Sequence, residues 1–340
     1  MKLLPFKAIF PNTREYSFVF NQKKLYIKNE ASLFTKKAVN YNKYLLEQYK
    51  KGFFFQPFDE HIYLVKKEIL NYSYVGIIAK INTNDLHSNK LKLHEETIKE
   101  KVFEYQNDLN KFNILTTPLI LSHENNIEIN SYYAQIMQAH YDVKISDSNN
   151  NYYFWKLPND KLINLYFSSL NQFFIIDGHH RISSLKTLCS KNNNAYGFFI
   201  SKDLVQSKNI TRFYTNEYIC QNVIKELSNK YNLSPTNNHS EKNSYVMLSH
   251  QNKLLKLSSQ EINVIKKFLK DVYIKLSNGK INFNNTPEGK TQDSHNEKLI
   301  LYIPGIIGKK LMDIQTIFPP HSTYFEPKFN NGVISVIVKD

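Results

Sequence analysis

The stretch that most constrains this chain is Phe173-Phe174-Ile175-Ile176-Asp177-Gly178-His179-His180-Arg181, followed by Ile182-Ser183-Ser184-Leu185-Lys186-Thr187-Leu188-Cys189. An apolar, strand-favouring run stops at Asp-Gly, and a helical pattern with Ile182, Leu185 and Cys189 on one side begins. Asp177 reads as an N-cap, and Gly178 permits a tight turn and a close ligand approach. A strand, turn and helix in this order aim backbone N–H groups at one point, flanked here by two histidines and an arginine. That is an anion-binding geometry, and phosphate is the anion it suits. Arg181 is expected to clamp a phosphate, with Ser183 and Ser184 adding hydroxyls in the first helical turn. Asp177 is expected either to orient a histidine or to hold Mg²⁺ carried by substrate phosphates.

With 340 residues the chain can build a large core, as one domain or two. Its 23 Phe and 23 Tyr argue against disorder. The formal net charge of +14 favours anionic partners, nucleotides and nucleic acid included, but the lysines are scattered and form no tract. Arginine, the usual reader of base edges, is scarce, so nucleic acid is possible but not favoured; Arg14, Arg181 and Arg212 stand out singly. Cys189 and Cys220 are the only cysteines, and no zinc spacing exists. No signal peptide and no apolar run long enough to span a membrane are read, so a cytoplasmic setting is expected. P-loop, dinucleotide, kinase-domain and nucleophile-elbow motifs are all missing.

Along the chain, residues 31–51 read as a helix, and 61–65 with 72–81 as a strand hairpin. Residues 98–109, 132–140, 160–170, 222–231, 261–269 and 308–314 read as helices. Strands are expected at 114–122, 141–145, 151–157, 195–200, 245–248 and 254–257, and 299–303 is an apolar run. The polar segment 232–243 is the best linker. Asn331-Gly332 reads as the turn between two extended runs, a closing hairpin. The resulting expectation is a mixed α+β fold, with a core over 1–235 and a smaller lobe over 236–340 that the closing hairpin folds back from. His94-Glu95-Glu96-Thr97 places candidate bases beside a histidine in one turn.

Four ordered motifs resemble those of the domain of unknown function 1015 family. They are Pro5-Phe6-Lys7-Ala8 with Pro11, His94-Glu95-Glu96-Thr97, Asp177-Gly178-His179-His180-Arg181, and Pro319-Pro320-His321-Ser322-Thr323-Tyr324-Phe325-Glu326-Pro327-Lys328 with Gly332. That family is similar to free-serine kinases of the ParB/sulfiredoxin-like fold, whose equivalent glycine-histidine-arginine loop binds phosphate. The resemblance implies a ParB/sulfiredoxin-like core, ATP or ADP with Mg²⁺, and a small hydroxyl substrate such as free serine. Gly178, His179, His180 and Arg181 would then hold the nucleotide, with Ser183, Lys101 and Arg212 supporting. Glu95 would accept the hydroxyl proton, Glu96 would stand in for it, and His94 would orient the base. The sequence also departs from the family pattern. Val102-Phe103-Glu104-Tyr105 replaces an Asp-Arg segment, Ile210-Thr211-Arg212 lacks the histidine of a Thr-His-Arg triplet, and His321 stands where lysine is usual. These departures leave open a changed substrate or a catalytically dead member. The alternative reading is a nucleotide-binding regulatory module, with CTP or ATP as a switch.

Overall fold

The computed structural model describes residues 1–13, 18–20, 25–27, 41–70, 72–146, 150–157, 161–188, 195–214, 217–251, 253–277, 285–286, 299–314 and 316–338. Arg14, Cys189 and the first part of the helix expected at 31–51 lie outside them. The chain divides into two compact units, residues 1–92, 98–205 and 327–340 in one, and 93–97 with 206–326 in the other. No helix among the described residues is long and apolar enough to cross a membrane.

Unit 1 is built on a nine-stranded mixed sheet. Its strands are β1 (Leu3–Leu4), β2 (Ile62–Ile69), β3 (Tyr72–Ile81), β4 (Leu91–Lys92), β5 (Leu119–His123), β6 (Val143–Ser146), β7 (Asn150–Leu157), β8 (Phe173–Asp177) and β9 (Ala195–Ser201). The spatial order is β6-β7-β2-β3-β9-β5-β8-β4, with β1 alongside β3. Strands β2 and β3 form the expected antiparallel hairpin, and Leu70 turns it with φ 48°. β9 runs parallel to β5 and β8 parallel to β4, while the other pairs of the sheet are antiparallel. The aromatic richness of the sequence goes into this core: Tyr63, Tyr152, Tyr196, Phe154, Phe173, Phe198 and Phe199 are fully buried. Tyr63 packs edge-on against Phe6 and Phe10.

The helices of unit 1 that matter for the site are α1 (Lys99–Phe112), α2 (Ile127–Ile136), α3 (Lys161–Ser169) and α4 (His179–Leu188). Apolar spacing alone places a helix at 132–140. The observed one starts five residues earlier, because the Asn126 side chain caps it by accepting the Ile129 N–H at 2.9 Å. Outside the large sheet, Val336–Ile337 pairs with Ile114–Leu115.

Unit 2 is a six-stranded antiparallel sheet with helices packed on it. Its strands are β10 (Ile210–Tyr214), β11 (Ser234–Thr236), β12 (Met247–His250), β13 (Lys253–Lys256), β14 (Asn285–Thr286) and β15 (Leu299–Ile303), in the order β11-β13-β12-β15-β10-β14. Pro235 has no N–H to give a ladder, and β11 accordingly sits at the edge. Helices α5 (Glu217–Tyr231), α6 (Ile262–Ser277) and α7 (Gly305–Ile314) bury Leu227, Phe268, Val272 and Leu311 against Leu248, Leu301 and Ile303 of the sheet.

The mixed α+β class is as expected, but the division of the chain differs from 1–235 and 236–340. Residues 206–235 fall in unit 2, because β10 pairs with β15 along its whole length. The polar stretch 232–243 is not a linker. It supplies β11 and a short turn that Glu241 staples to Lys256 and Thr236, each at 2.9 Å. The closing hairpin is not formed either. Phe325–Glu326 pairs with Gln206–Ser207 within unit 2, whereas Val336–Ile337 pairs within unit 1, so each run finds a different partner.

Candidate anion-binding site

Strand β8 delivers the Asp-Gly-His-His-Arg box into unit 1. Its apolar residues are buried, and β8 pairs with β5 on one side and β4 on the other. A register shift between Ile120 and Leu121 marks the end of the β5 pairing next to Asp177. Gly178 then turns the chain with φ +100°, where a Cβ would lie 2.7 Å from Leu119 Cδ2 and 3.2 Å from the Arg181 guanidinium. Only glycine fits both the angle and the space. The Gly178 carbonyl accepts the Ile182 N–H at 2.9 Å, the first bond of α4. Gly178 therefore holds the N-cap position expected of Asp177, and Asp177 stays the last residue of the strand.

That places the Asp177 carboxylate between two cations. Oδ2 accepts from Arg181 at 2.5 Å, and Oδ1 lies 3.6 Å from Lys328 Nζ. Burial pulls its pKa upward, but Lys328 and then Arg181 outweigh this and hold it below the usual carboxylate value. Arg181 is buried. Its NH1 donates to the Thr117 carbonyl at 2.8 Å, the Pro118 carbonyl at 2.7 Å and Thr117 Oγ1 at 2.5 Å. The guanidinium expected to clamp phosphate thus turns NH1 and NH2 onto its own chain, bracing the approach to β5 against α4.

The two histidines part company, as adjacent positions on a helix must. His179 is buried. His180 Nε2 accepts the backbone N–H of Ile98 at 3.0 Å, at the N-cap of α1, where Ile98 has no capping side chain of its own. The ring must be unprotonated at Nε2 to accept. Burial, seconded by Lys101, pushes its pKa down to about 4. Ser184 Oγ, fully buried, lies 2.9 Å from the Val102 carbonyl and 2.8 Å from that of His180. The first turns of α1 and α4 are thereby stitched together, with Lys101 in the first turn of α1. Ser183 is half-buried, and its carbonyl accepts from Thr187 Oγ1 at 3.2 Å. Two helix N-termini with Lys101 and Lys328 near them form a cationic corner, and helix N-termini carry partial positive charge.

The His94-Glu95-Glu96 turn belongs to unit 2, where it pairs with Phe318. The Phe318 N–H donates to the His94 carbonyl at 2.8 Å, and the Glu96 N–H to the Phe318 carbonyl at 2.7 Å. Glu95 is buried. Its Oε1 accepts the Thr323 N–H at 2.6 Å and the Thr323 hydroxyl, and its Oε2 accepts the His321 N–H at 3.1 Å. The Thr323 hydroxyl gives its one proton to Glu95, so at 2.9 Å it accepts from His94 Nε2, which fixes the proton on that nitrogen. Burial raises the Glu95 pKa, against the lowering pull of Thr323, Arg212 and His321. Glu96 is exposed, with Lys270 Nζ at 3.7 Å. Arg212 is buried and donates from NH2 to the Pro320 carbonyl at 3.3 Å.

The expected site residues therefore fall into two groups. Asp177, Gly178, His179, His180, Arg181, Ser183 and Lys101 gather in unit 1. His94, Glu95 and Arg212 gather in unit 2, with Glu96 at its surface. The sequence reading assigns no site role to Lys328, Thr117, Pro118 or Thr323. Lys328 and Thr323 lie in the closing Pro-Pro-His-Ser-Thr-Tyr-Phe-Glu-Pro-Lys run, which was the one signal pointing to them. Among the described residues no cluster of three or more His, Cys, Asp or Glu is placed to hold a metal. The Asp177 carboxylate has a cation near each oxygen, so it does not fit a protein-built Mg²⁺ site.

A family model described as "Protein of unknown function (DUF1015)" matches residues 26–276. No curated protein matches the chain. Among solved structures, the chain is similar to "SbnI with C-terminal truncation from Staphylococcus aureus", at 12% identity and TM-score 0.48 over 75% of this chain and 85% of that one. It is also similar to "Free serine kinase in complex with AMP", at 14% identity and TM-score 0.47 over 77% and 91%. A third similar structure is a conserved hypothetical protein from Pyrococcus furiosus, at 13% identity and TM-score 0.44 over 74% and 94%.

Proposed function

The chain belongs to the DUF1015 family, and we propose that it is a nucleotide-dependent small-molecule kinase whose unit 1 corner binds the phosphates of ATP or ADP. The observation that carries this reading is the joining of two helix N-termini through the His180–Ile98 bond, beside Lys101. Backbone amides at such ends favour a polyanion without needing a mobile side chain. In this reading Gly178 lets the backbone take the φ of +100° that ends β8 and starts α4, and so sets the direction of the amides of the turn. His180 holds the two helix starts together, and Lys101 and Lys328 supply charge. Arg181 and Asp177 act as a brace that keeps the turn in shape, so their contribution is to geometry rather than to direct contact.

Glu95 is the proposed proton acceptor, on the strength of its own surroundings in unit 2. A general base works best when its pKa lies near the working pH, and burial moves Glu95 that way. Thr323 and the His321 N–H hold its carboxylate in one orientation, and His94 is bonded to the Thr323 hydroxyl. The acceptor, a hydroxyl of free serine or a similar metabolite, comes from the resemblance of the sequence motifs. Arg212 is proposed to tune Glu95 by its charge.

A second reading is favoured by one specific observation. Glu95 already accepts three hydrogen bonds from Thr323 and His321, which suits a purely structural clasp. On that reading the protein binds nucleotide as a switch and transfers nothing.

Titration calorimetry with ATP and ADP, followed by ³¹P NMR of protein incubated with nucleotide, Mg²⁺ and serine, separates these outcomes. Binding with phosphoserine formation supports the kinase. Binding with no phosphorylated product favours the switch. No binding at millimolar nucleotide ends the whole proposal.

A further inference from the structure

Lys67 lies in β2, in the middle of the unit 1 sheet, and is 2% exposed. A lysine so buried is costly unless its ammonium is well solvated by protein groups. Here the ammonium donates to the Lys328 carbonyl. It also sits 5.2 Å from the Tyr152 ring and 5.8 Å from the Phe329 ring, within cation–π range. Tyr152 is Lys67's register partner on β7. Its hydroxyl accepts the Asn330 N–H at 3.2 Å, and its ring packs on Phe329 at 5.4 Å. One lysine and one tyrosine of the sheet thus hold residues 328–330 by a carbonyl, a ring and an amide.

The consequence falls on Lys328. Its carbonyl is fixed by Lys67, and its side chain reaches Asp177 Oδ1 at 3.6 Å. Asp177 in turn holds Arg181, which braces Thr117 and Pro118. An apolar side chain of equal length at position 67 could fill the space but could not hold the carbonyl. We propose that Lys67 is a positioning residue for the phosphate corner, acting through the backbone of Lys328 on the Asp177–Arg181 pair. This rests on the corner being the nucleotide site, as proposed above.

The test is Lys67→Met in the full chain, with Lys67→Arg as the conservative variant. In the absence of nucleotide, the ¹³C-detected titration of Asp177 is expected to move to higher pH in Lys67→Met, because Lys328 no longer sits beside it. Amide exchange at 329–330 is expected to speed up while that of 62–66 is unchanged. ATP affinity is expected to fall about 10- to 100-fold, since a small misplacement has effects of that order, and Lys67→Arg restores most of it. An unchanged Asp177 titration in Lys67→Met overturns the inference whatever nucleotide does. A wild-type protein that binds no ATP overturns the proposed function instead, and the titration still decides the role of Lys67. Should Lys67→Met fail to fold, Tyr152→Phe removes the Asn330 anchor alone. It is expected to give a smaller shift of Asp177 in the same direction, and no shift there overturns the inference.

Discussion

The imidazole of His180 accepts the backbone N–H of Ile98 at 3.0 Å, across 82 positions of sequence. One side chain at the start of α4 therefore caps the start of α1. Helix N-termini leave backbone donors unsatisfied, and the imidazole satisfies the N–H of the N-cap residue, the bond a capping-box side chain would otherwise make.

The His180 bond predicts a pH-dependent stability. Its folded pKa of about 4 lies below the ordinary value of 6.5. Between these values the unfolded chain binds the proton more readily, so stability is full above about 6.5 and falls as pH drops toward 4. His180→Phe should flatten this part of the profile and cost about 1–2 kcal/mol at pH 7, the usual loss for a missing cap. Denaturant melts of both proteins across pH 4–7 check it. An unchanged acid slope in the variant would sink the assignment.

Gly178→Ala should be destabilising and should abolish nucleotide binding. The added Cβ meets Leu119 at 2.7 Å, and φ is +100°. Strain of this kind costs on the order of 1–3 kcal/mol. Gly52→Ala is the control, because Gly52 also has positive φ, at +82°, but nothing within 4 Å of an added Cβ. Urea midpoints should fall further for position 178 than for position 52.

Arg181→Met should damage the fold as well as binding. It removes one of the two cationic partners of Asp177 and leaves the Thr117 and Pro118 carbonyls short of a donor. Breaking a buried ion pair from one side costs about 3–5 kcal/mol, and the half-exposure of Asp177 places this case at or below the lower end. Arg181→Lys should recover only part, since an ammonium cannot span the same set of acceptors. A variant with wild-type stability that merely loses ATP affinity would show instead that Arg181 meets the ligand directly.

Glu95→Gln should remove turnover while leaving nucleotide affinity within about twofold, the pattern of a group needed only for the chemical step. Glu96→Gln, at the surface, should change neither. With Glu95 as base, activity rises with pH as its carboxyl loses a proton, and its pKa is raised by burial. The acid limb of the wild-type profile should therefore fall above the ordinary glutamate value of 4.5. Steady-state rates from pH 4 to 8 test this.

Much of the local structure was legible because it follows from short-range rules. Apolar runs mark β3, β8 and β9, and the positive-φ glycine of the Asp-Gly box announces its turn. Which of Glu95 and Glu96 is buried was not legible, since adjacent side chains in an extended segment point to opposite sides. The domain boundary was misread for a related reason: polar composition at 232–243 signals a surface, and a surface strand with a stapled turn has the same composition as a linker.

By itself, the sequence determined the strand–glycine–helix corner and its cationic character, because turn geometry and helix ends depend on a few neighbouring residues. Tertiary structure alone decided what Arg181, His180 and Lys328 do with their polar atoms. Their partners, Thr117, Ile98 and Asp177, lie 64, 82 and 151 positions away. Only the folded sheet brings those groups within hydrogen-bonding or ion-pairing reach, so no local pattern could record whether a guanidinium faces a ligand or its own chain.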